Sequence, residues 1–372
     1  MRTLIQNPSA ICASVLISAL GATFYNVMPM LVGAAQEDLG FSSWQIGLIP
    51  TAFFSGWVLF AGSGYLWLHR ANLRVVALGA SGVAMSALLL SLHINHFQAL
   101  LGLTFIAGGG FSCVYGIGTH LLGLTLNPTR WYGLKIAVEP MPGMVILFAL
   151  PATAISANIF SDILWAMIFA SALLSVAIFF IPSVVSSSEI SEDKLAGTND
   201  HGSVVLALIS VFLFFSAASG MWAFLERLGA ARDFDQDYLS ALLGITLITA
   251  TSGSLLTAWM GDRYGNLKPF TLSAMFFLAS IFTLALPLDM LSFGVAAGVM
   301  TFVVGAGLPL IVAEVAARDI EHRLVIMTVP AVGLGAMLGP PVVGFLADGQ
   351  VFATAIFACG ILALLSILTA RH

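Results

Sequence analysis

Long apolar runs separated by short polar turns make up most of the chain. The runs are about 20 residues or longer and do not alternate between apolar and polar positions, so they predict helices rather than barrel strands. A helix needs roughly 20 mostly apolar residues to cross a hydrocarbon layer about 30 Å thick. We therefore predict twelve membrane-spanning helices, near residues 9–33, 45–67, 74–93, 97–125, 131–157, 161–182, 204–229, 237–260, 268–287, 291–316, 325–346 and 351–369.

The composition indicates that lipid is the solvent of these helices. Apolar residues make up 59% of the chain and charged residues 8%, whereas about 25% of the residues of a soluble domain are charged. Residues 183–203 interrupt the apolar pattern, because they are polar and rich in Ser and acidic residues. We interpret them as a cytoplasmic linker between two bundles of six helices, residues 1–182 and 204–372.

The basic residues fall mostly on one side of the predicted membrane. Of the 13 basic residues, only Arg227 and Arg232 belong to the side opposite the termini. The positive-inside rule therefore predicts cytoplasmic termini and a multi-pass protein of the cytoplasmic (inner) membrane. The net charge of −5 and the lack of a basic arm give no indication of a nucleic-acid partner. The 11 basic residues on the terminal side are Arg2, Arg70, Arg74, Arg130, Lys135, Lys194, Arg263, Lys268, Arg318, Arg323 and Arg371.

Two loops on the cytoplasmic side are similar to each other. WMGDRYGNLK joins predicted spans 8 and 9, and WLHRANLR, residues 67–74, joins spans 2 and 3. Both loops have the length of a tight turn between antiparallel helices, in which Gly or Asn allows a left-handed residue. An ordinary positive-inside turn would explain the basic residues, but it does not explain Asp262. Aligned, Asp262 meets His69, Arg263 meets Arg70, and Gly265 meets Asn72, while Lys268 lies one place past Arg74.

These features resemble the major facilitator superfamily of transporters. GDRYGNLK resembles the family's D-R-x-G-x-[RK]-type loop motif, and GAMLGPPVVG in span 11 resembles its G-x3-G-P-x2-G-G helix-kink motif. The kink motif matches at Gly335, Gly339, Pro340 and Gly344, with Val343 in place of a Gly. The resemblance covers the whole chain and implies an all-α membrane protein of two pseudo-symmetric six-helix bundles.

The chain also departs from the family pattern. The better loop copy usually lies between spans 2 and 3, where this chain has His69 in place of Asp. The Arg often found in span 4 is missing from LTFIAGGGFSCVYG, and span 5 lacks the Gly-Pro motif of many drug/proton antiporters. In such transporters the loop carboxylate meets a helix end of the opposite half and latches one state. The resemblance therefore implies that Asp262 faces the start of span 5, near Arg130 and Trp131.

Charged groups inside the membrane are candidates for coupling. Glu139 lies about 12 Å into span 5, counted from Trp131. A carboxylate at that depth is a functional-site hypothesis, and the alternative is a structural ion pair with Lys135, four residues earlier. Pro140 and Pro142 follow, so we expect the helix to be kinked or unwound there.

The second candidate carboxylate is Glu226, near the outer end of span 7. It shares a helix face with Trp222, and both are candidates for the substrate path. Tyr25 and Asn26 of span 1 fall at nearly the depth of Trp222 and suit an organic solute. The alternatives are an ion pair of Glu226 with Arg227 or Arg232, and ordinary packing of the aromatic residues. Glu314 and Arg318 have the spacing of an interfacial ion pair.

Together these observations predict a secondary transporter rather than an enzyme. We expect a monomer that works by alternating access, takes up a small organic solute and couples its transport to protons. Proton-driven efflux is the alternative, and a membrane-embedded enzyme or a non-transporting sensor is a more distant one, because the intramembrane polar residues are sparse and scattered. No cofactor or metal is expected, since His93 and His96 would form an incomplete ligand set and the Cys residues form no CxxC.

Overall fold

A computed structural model describes residues 7–68, 71–94, 96–123, 125, 128–153, 158–183, 201–318, 327–347 and 352–371 of the chain. The described residues form α-helices joined by short turns, as the apolar pattern predicts. The helices are α1 Pro8–Leu39, α2 Ser43–Trp67, α3 Leu73–Ser91, α4 Phe97–Gly123, α5 Pro128–Val138, α6 Met141–Thr153, α7 Ile159–Ser175, α8 His201–Ala223, α9 Leu225–Ala230, α10 Gln236–Met260, α11 Leu267–Leu284, α12 Met290–Arg318, α13 Thr328–Leu346 and α14 Ala353–Arg371.

Within the described part of the chain, 11 helices are long and apolar enough to cross a membrane. This makes the chain a multi-pass membrane protein. We expected twelve spans, and the predicted fifth span is the one that does not appear among these 11 helices. It is divided between α5 and α6, which have only 11 and 13 residues. The count of twelve spans therefore remains a prediction.

The break in the fifth span lies where the two prolines predict it. Helix α5 ends at Val138, and α6 begins at Met141. Pro140 and Pro142 lack the N–H groups that a continuous helix would direct to the carbonyls of Ile136 and Val138. The expected kinked or unwound segment is thus confirmed as two helices separated by a turn.

The predicted seventh span also divides, and here the prediction was wrong. We expected one helix over residues 204–229, but α8 ends at Ala223 and a separate short helix, α9, follows. Phe224 lies between them with φ −108° and ψ 8°, outside the helical region. Phe224 and its immediate neighbours are neither Pro nor Gly, so the local sequence does not predict that the helix ends here. As a consequence, Glu226 lies outside α8, the helix that is long and apolar enough to cross a membrane.

The described helices belong to two compact units. The first comprises Met1–Ala34 and Ala52–Glu192, and the second comprises Ala35–Thr51 and Asp193–His372. The predicted linker at 183–203 lies mostly outside the described residues, so the predicted domain boundary is untested.

Glycines in the first unit allow close contact between α2 and α4. A Cβ atom on Gly108 would lie 1.9 Å from the carbonyl oxygen of Phe53, and one on Gly56 would lie 2.0 Å from that of Phe105. Ser112 Oγ donates a hydrogen bond of 2.8 Å to the Trp57 carbonyl across the same contact. The backbones therefore touch directly, a packing mode that small residues make possible in membranes.

The predicted helix-kink motif lies in α13 at similar close contacts within the second unit. A Cβ atom on Gly339 would lie 2.2 Å from the Ser216 carbonyl oxygen in α8. Ser219 Oγ donates a hydrogen bond of 3.0 Å to the Gly335 carbonyl. At Gly344, a Cβ would lie 2.5 Å from the carbonyl oxygen of Ser43. Helix α13 continues through Pro340, and the motif's glycines keep its backbone against its neighbours.

Candidate functional site

A polar cluster lies inside the first unit, where α1 and α4 meet the broken fifth span. Lys135 Nζ lies 2.6 Å from Glu139 Oε1, and it donates a hydrogen bond of 2.7 Å to Tyr115 Oη. Its ammonium also stands 3.9 Å from the centroid of the Tyr115 ring. The predicted alternative of a Lys135–Glu139 ion pair is therefore what the structure contains, and Tyr115 completes it.

The two charged side chains differ in access. The Lys135 side chain is 5% exposed, whereas that of Glu139 is 16% exposed. Although the charges are close, Glu139 Oε1 accepts no hydrogen bond of acceptable geometry from any residue that the structure describes. The separation of 2.6 Å between Lys135 Nζ and Glu139 Oε1 is that of an ion pair, so the attraction at this oxygen is mainly electrostatic.

Asn26 connects α1 to the break in the fifth span. Its Nδ2 donates hydrogen bonds to the carbonyl of Ala22 at 3.1 Å and to that of Glu139 at 3.0 Å. Pro140 and Pro142 weaken the helix at this point, and the Asn26 amide provides a partner to the Glu139 carbonyl. The contact depends on Gly143, where a Cβ would lie 2.4 Å from Asn26 Cβ. Asn26 and Glu139, two of the predicted site residues, are thus in direct contact.

Aromatic rings cover one side of this polar cluster. The ring centroids of Trp57 and Tyr115 lie 4.8 Å apart, those of Phe54 and Trp57 6.2 Å, and those of Tyr25 and Phe54 6.0 Å. Tyr25, Tyr115 and Glu139 remain partly exposed, while Phe54 and Trp57 are buried. Apolar rings beside a few convergent polar groups are the usual composition of a site for an organic molecule.

Glu226 presents a different environment in the second unit. The residue is 1% exposed, and neither carboxylate oxygen accepts a hydrogen bond from a described residue. Arg227 instead pairs with Glu37, with 2.6 Å between Nη1 and Oε1, and Arg232 donates to the carbonyls of Leu228, Leu284 and Leu286. The alternative of a Glu226 ion pair with either arginine is therefore wrong for this structure.

Burial decides the charge state of Glu226. Removal from water raises the pKa of Glu226 to about 8, against the opposing effect of the nearby Arg227 charge. The charge of Glu37 acts in the same direction as burial. Trp222, the predicted companion of Glu226, is buried at the end of α8. The carboxyl group can thus change its protonation state near neutral pH.

The cytoplasmic loop motif is described in part. Gly265 has φ +66°, the left-handed conformation expected there. The Asn72 prediction was wrong: Asn72 has φ −73° and ψ 105°, because it caps α3 and accepts hydrogen bonds from the N–H groups of Arg74 and Val75. The Arg263 guanidinium stands 6.0 Å from the Trp259 ring, and Lys268 lies in the first turn of α11. His69, Arg70 and the side chains of Asp262 and Arg130 lie outside what the structure describes, so the latch is untested.

Sequence reasoning missed Tyr115, Trp57 and Gly143. Tyr115 lies in a stretch of span 4 that has no charged residue, and it carries one of the few polar side-chain groups there. That hydroxyl was the available signal, because a Tyr buried in a membrane helix needs a partner for its O–H. The partner, Lys135, is 20 residues away in sequence, so only the fold brings the two together.

Comparison with solved structures identifies the fold. The chain superposes on the nucleoside transporter NupG in a mutant form with a TM-score of 0.72, at 12% identity over 97% of this chain and 98% of that chain. A second NupG structure gives 0.69 at 13% identity, over 98% of both chains. The human organic anion transporter MFSD10 gives 0.66 at 15% identity, over 98% of this chain and all of that one.

The fold is that of the major facilitator superfamily. The loop and kink motifs predicted this resemblance, and the agreement extends over nearly the full chain. By sequence alone, no family profile and no curated protein matches. At such low identity the likeness establishes the fold of the chain and leaves its substrate to other arguments.

Proposed function

We propose that the chain is a secondary transporter of the cytoplasmic membrane, which takes up a small organic solute by alternating access and couples this movement to protons. The observation that carries the proposal is the likeness to transporters over nearly the whole chain. In proteins of this architecture, substrate and coupling-ion sites lie near the middle of the membrane where structural repeats meet, and interrupted helices commonly form them. The polar cluster around Lys135 and Glu139, with its aromatic side, is our candidate for the substrate site.

Two carboxyl groups support coupling to protons. Glu226 is buried and accepts no hydrogen bond from a described residue, so no hydrogen bond to its carboxylate has to break when its charge changes. Glu139 instead contacts Lys135, with 2.6 Å between Oε1 and Nζ, and we propose that it joins the proton pathway when this contact opens. We therefore assign both residues to the proton pathway: Glu226 as it stands in this structure, and Glu139 after its contact with Lys135 opens.

The loop motif supports a role in gating. An Asp at position 262 that meets a helix N-terminus would accept backbone N–H groups and interact favourably with the helix dipole. The left-handed Gly265 and the basic residues Arg263 and Lys268 are consistent with a tight cytoplasmic turn that presents this carboxylate. We propose that Asp262 stabilises one of the two transport states and does not contact substrate.

Transport by the purified protein tests the proposal. The protein is placed in sealed vesicles, and the accumulation of radiolabelled compounds, chosen for thermal stabilisation of the protein, is followed under an inward proton gradient. We expect accumulation that collapses with a protonophore. Glu139→Gln should abolish accumulation but preserve substrate exchange, because exchange requires no net proton movement. Movement against the expected direction would indicate efflux, and no flux for any stabilising compound would refute the transporter assignment.

A further inference from the structure

The buried ammonium group of Lys135 is stabilised by an anion beside it. A lysine side chain has three N–H donors and no acceptor, and the described contacts of Lys135 are one hydrogen bond to Tyr115 and the close approach of Glu139. A buried charge without a counter-ion is strongly unfavourable. Among the described residues, the negative charge that Lys135 contacts is that of Glu139.

The geometry allows this counter-ion to be exchanged. Glu139 lies at the break between α5 and α6, on the more exposed side of the pair. Asn26 binds its backbone carbonyl, so the side chain can rotate while the backbone stays in place. The Glu139 Oε1 atom, which lies 2.6 Å from Lys135 Nζ, accepts no well-aligned hydrogen bond from a described residue, so its departure breaks an electrostatic contact. An incoming oxyanion could therefore replace it with little disturbance of the fold.

We infer that Lys135 binds the carboxylate of an organic anion, which is the substrate, and that Glu139 is the counter-ion that this carboxylate displaces. This inference rests on the proposed transport function and names its substrate class. Tyr115 holds the ammonium in place and offers its hydroxyl beside the new anion. The partly exposed Tyr25 ring, which packs against the buried Phe54 ring, offers an apolar surface to the rest of the substrate, so aromatic carboxylates are the acids to test.

The exchange couples the anion to one proton. Once Lys135 is bound to the substrate, the displaced Glu139 carboxylate lies in a poorly hydrated site without a counter-ion, and it takes up a proton from water. Before binding, the cluster holds one positive and one negative charge. After binding, it holds Lys135⁺, the substrate anion and a neutral Glu139 carboxyl group. The net charge is unchanged, so anion and proton move together.

Matched acids and amides test the substrate class in detergent, without any transport. Benzoate, phenylacetate and nicotinate are compared with benzamide, phenylacetamide and nicotinamide as stabilisers of the purified protein. We expect at least one acid to raise the melting temperature and its amide to have no effect, because an amide cannot replace the Glu139 charge. If no acid in the panel stabilises the protein, or if the amides stabilise it equally, the inference is wrong.

The coupling is tested with the acid that binds. In weakly buffered solution, binding should take up one proton per anion, and the apparent Kd should rise about tenfold per pH unit where Glu139 ionises in the free protein. Glu139→Gln should bind the acid with little pH dependence and without proton uptake. Glu314→Gln is the control, since it removes the carboxylate of another i,i+4 ion pair, 2.8 Å from Arg318 in the second unit, and should keep the wild-type slope.

Variants at Lys135 separate binding from folding. Lys135→Arg preserves the positive charge and should still bind the acid. The double change Lys135→Gln with Glu139→Gln removes both charges together, so it leaves no unpaired buried charge and should fold, but it should not bind the acid. Binding by this double variant, or a wild-type Kd independent of pH, would overturn the inference. Binding with the expected pH dependence but without flux in vesicles would instead refute the transport function alone.

Discussion

Replacement of Glu226 by Gln should remove a pH dependence of stability. The carboxyl group is 1% exposed and accepts no hydrogen bond from the described residues. Burial raises the pKa of Glu226 from its ordinary value of 4.5 to about 8. Gln has nearly the same size and shape as a protonated Glu and does not ionise, so the variant isolates the cost of the charge.

The sign and the size of the effect follow from proton linkage. Between pH 4.5 and pH 8 the folded protein retains the Glu226 proton while the unfolded chain releases it, so the free energy of unfolding falls as pH rises. Each pKa unit corresponds to about 1.4 kcal/mol, which gives a total of about 5 kcal/mol across this window. From pH 5.5 to pH 7.5 the wild-type protein should lose about 3 kcal/mol through this group.

Thermal unfolding in detergent at a series of pH values measures this difference. The melting temperature of the wild-type protein should fall by several degrees between pH 5.5 and pH 7.5 relative to Glu226→Gln, and the variant should be the more stable protein at pH 8. Asp289→Asn serves as the control, because Asp289 is an exposed carboxylate that accepts a bond from Ser292 N–H. Parallel pH curves for wild type and Glu226→Gln would refute the reasoning.

Three further predictions concern topology, gating and packing. Cysteines placed at Ser188 and Asn199 should resist an impermeant thiol reagent in intact cells, and labelling of either from outside would contradict cytoplasmic termini. Asp262→Asn should lower transport turnover while the melting temperature stays nearly constant, since one helix-end charge interaction contributes about 0.3–1 kcal/mol; unchanged turnover would exclude the latch. Gly143→Ala should destabilise the protein by about 1–3 kcal/mol in thermal unfolding, because its Cβ would lie 2.4 Å from Asn26 Cβ, and a melting temperature equal to that of wild type would disprove this close contact.

The helices and the break in the fifth span could be predicted because their causes are local. Apolar length determines which segments cross the membrane, and Pro140 and Pro142 act on the backbone within one turn. The break after Ala223 could not be predicted, since neither Pro nor Gly marks it and the surrounding helices determine where α8 ends. Asn72 shows a related failure, because Asn both tolerates a left-handed turn and caps helices, and its neighbours decide between these roles.

The candidate site was predictable only as a set of alternatives. Spacing along a helix showed that Lys135 could reach Glu139, but it could not show whether the two side chains point at each other. Tyr115 decides this, because its hydroxyl and ring hold the ammonium from another helix. For Glu226 the sequence suggested a neighbouring arginine as partner, yet Glu37, far away in the chain, is the residue that pairs with Arg227.

The distribution of buried charge gives a physical reason to connect Glu226 with function. The buried charged residues among those described are Lys135, Asp162, Glu226 and Arg227. Lys135 and Arg227 each contact a carboxylate, and Asp162 lies in the first turn of α7, where the helix dipole favours a negative charge. Glu226 is the member of this set whose carboxylate oxygens have no hydrogen-bond partner among the described residues. Burial without a hydrogen-bond partner favours the neutral form of Glu226, and this acid can release its proton when Arg227 leaves Glu37 and approaches it.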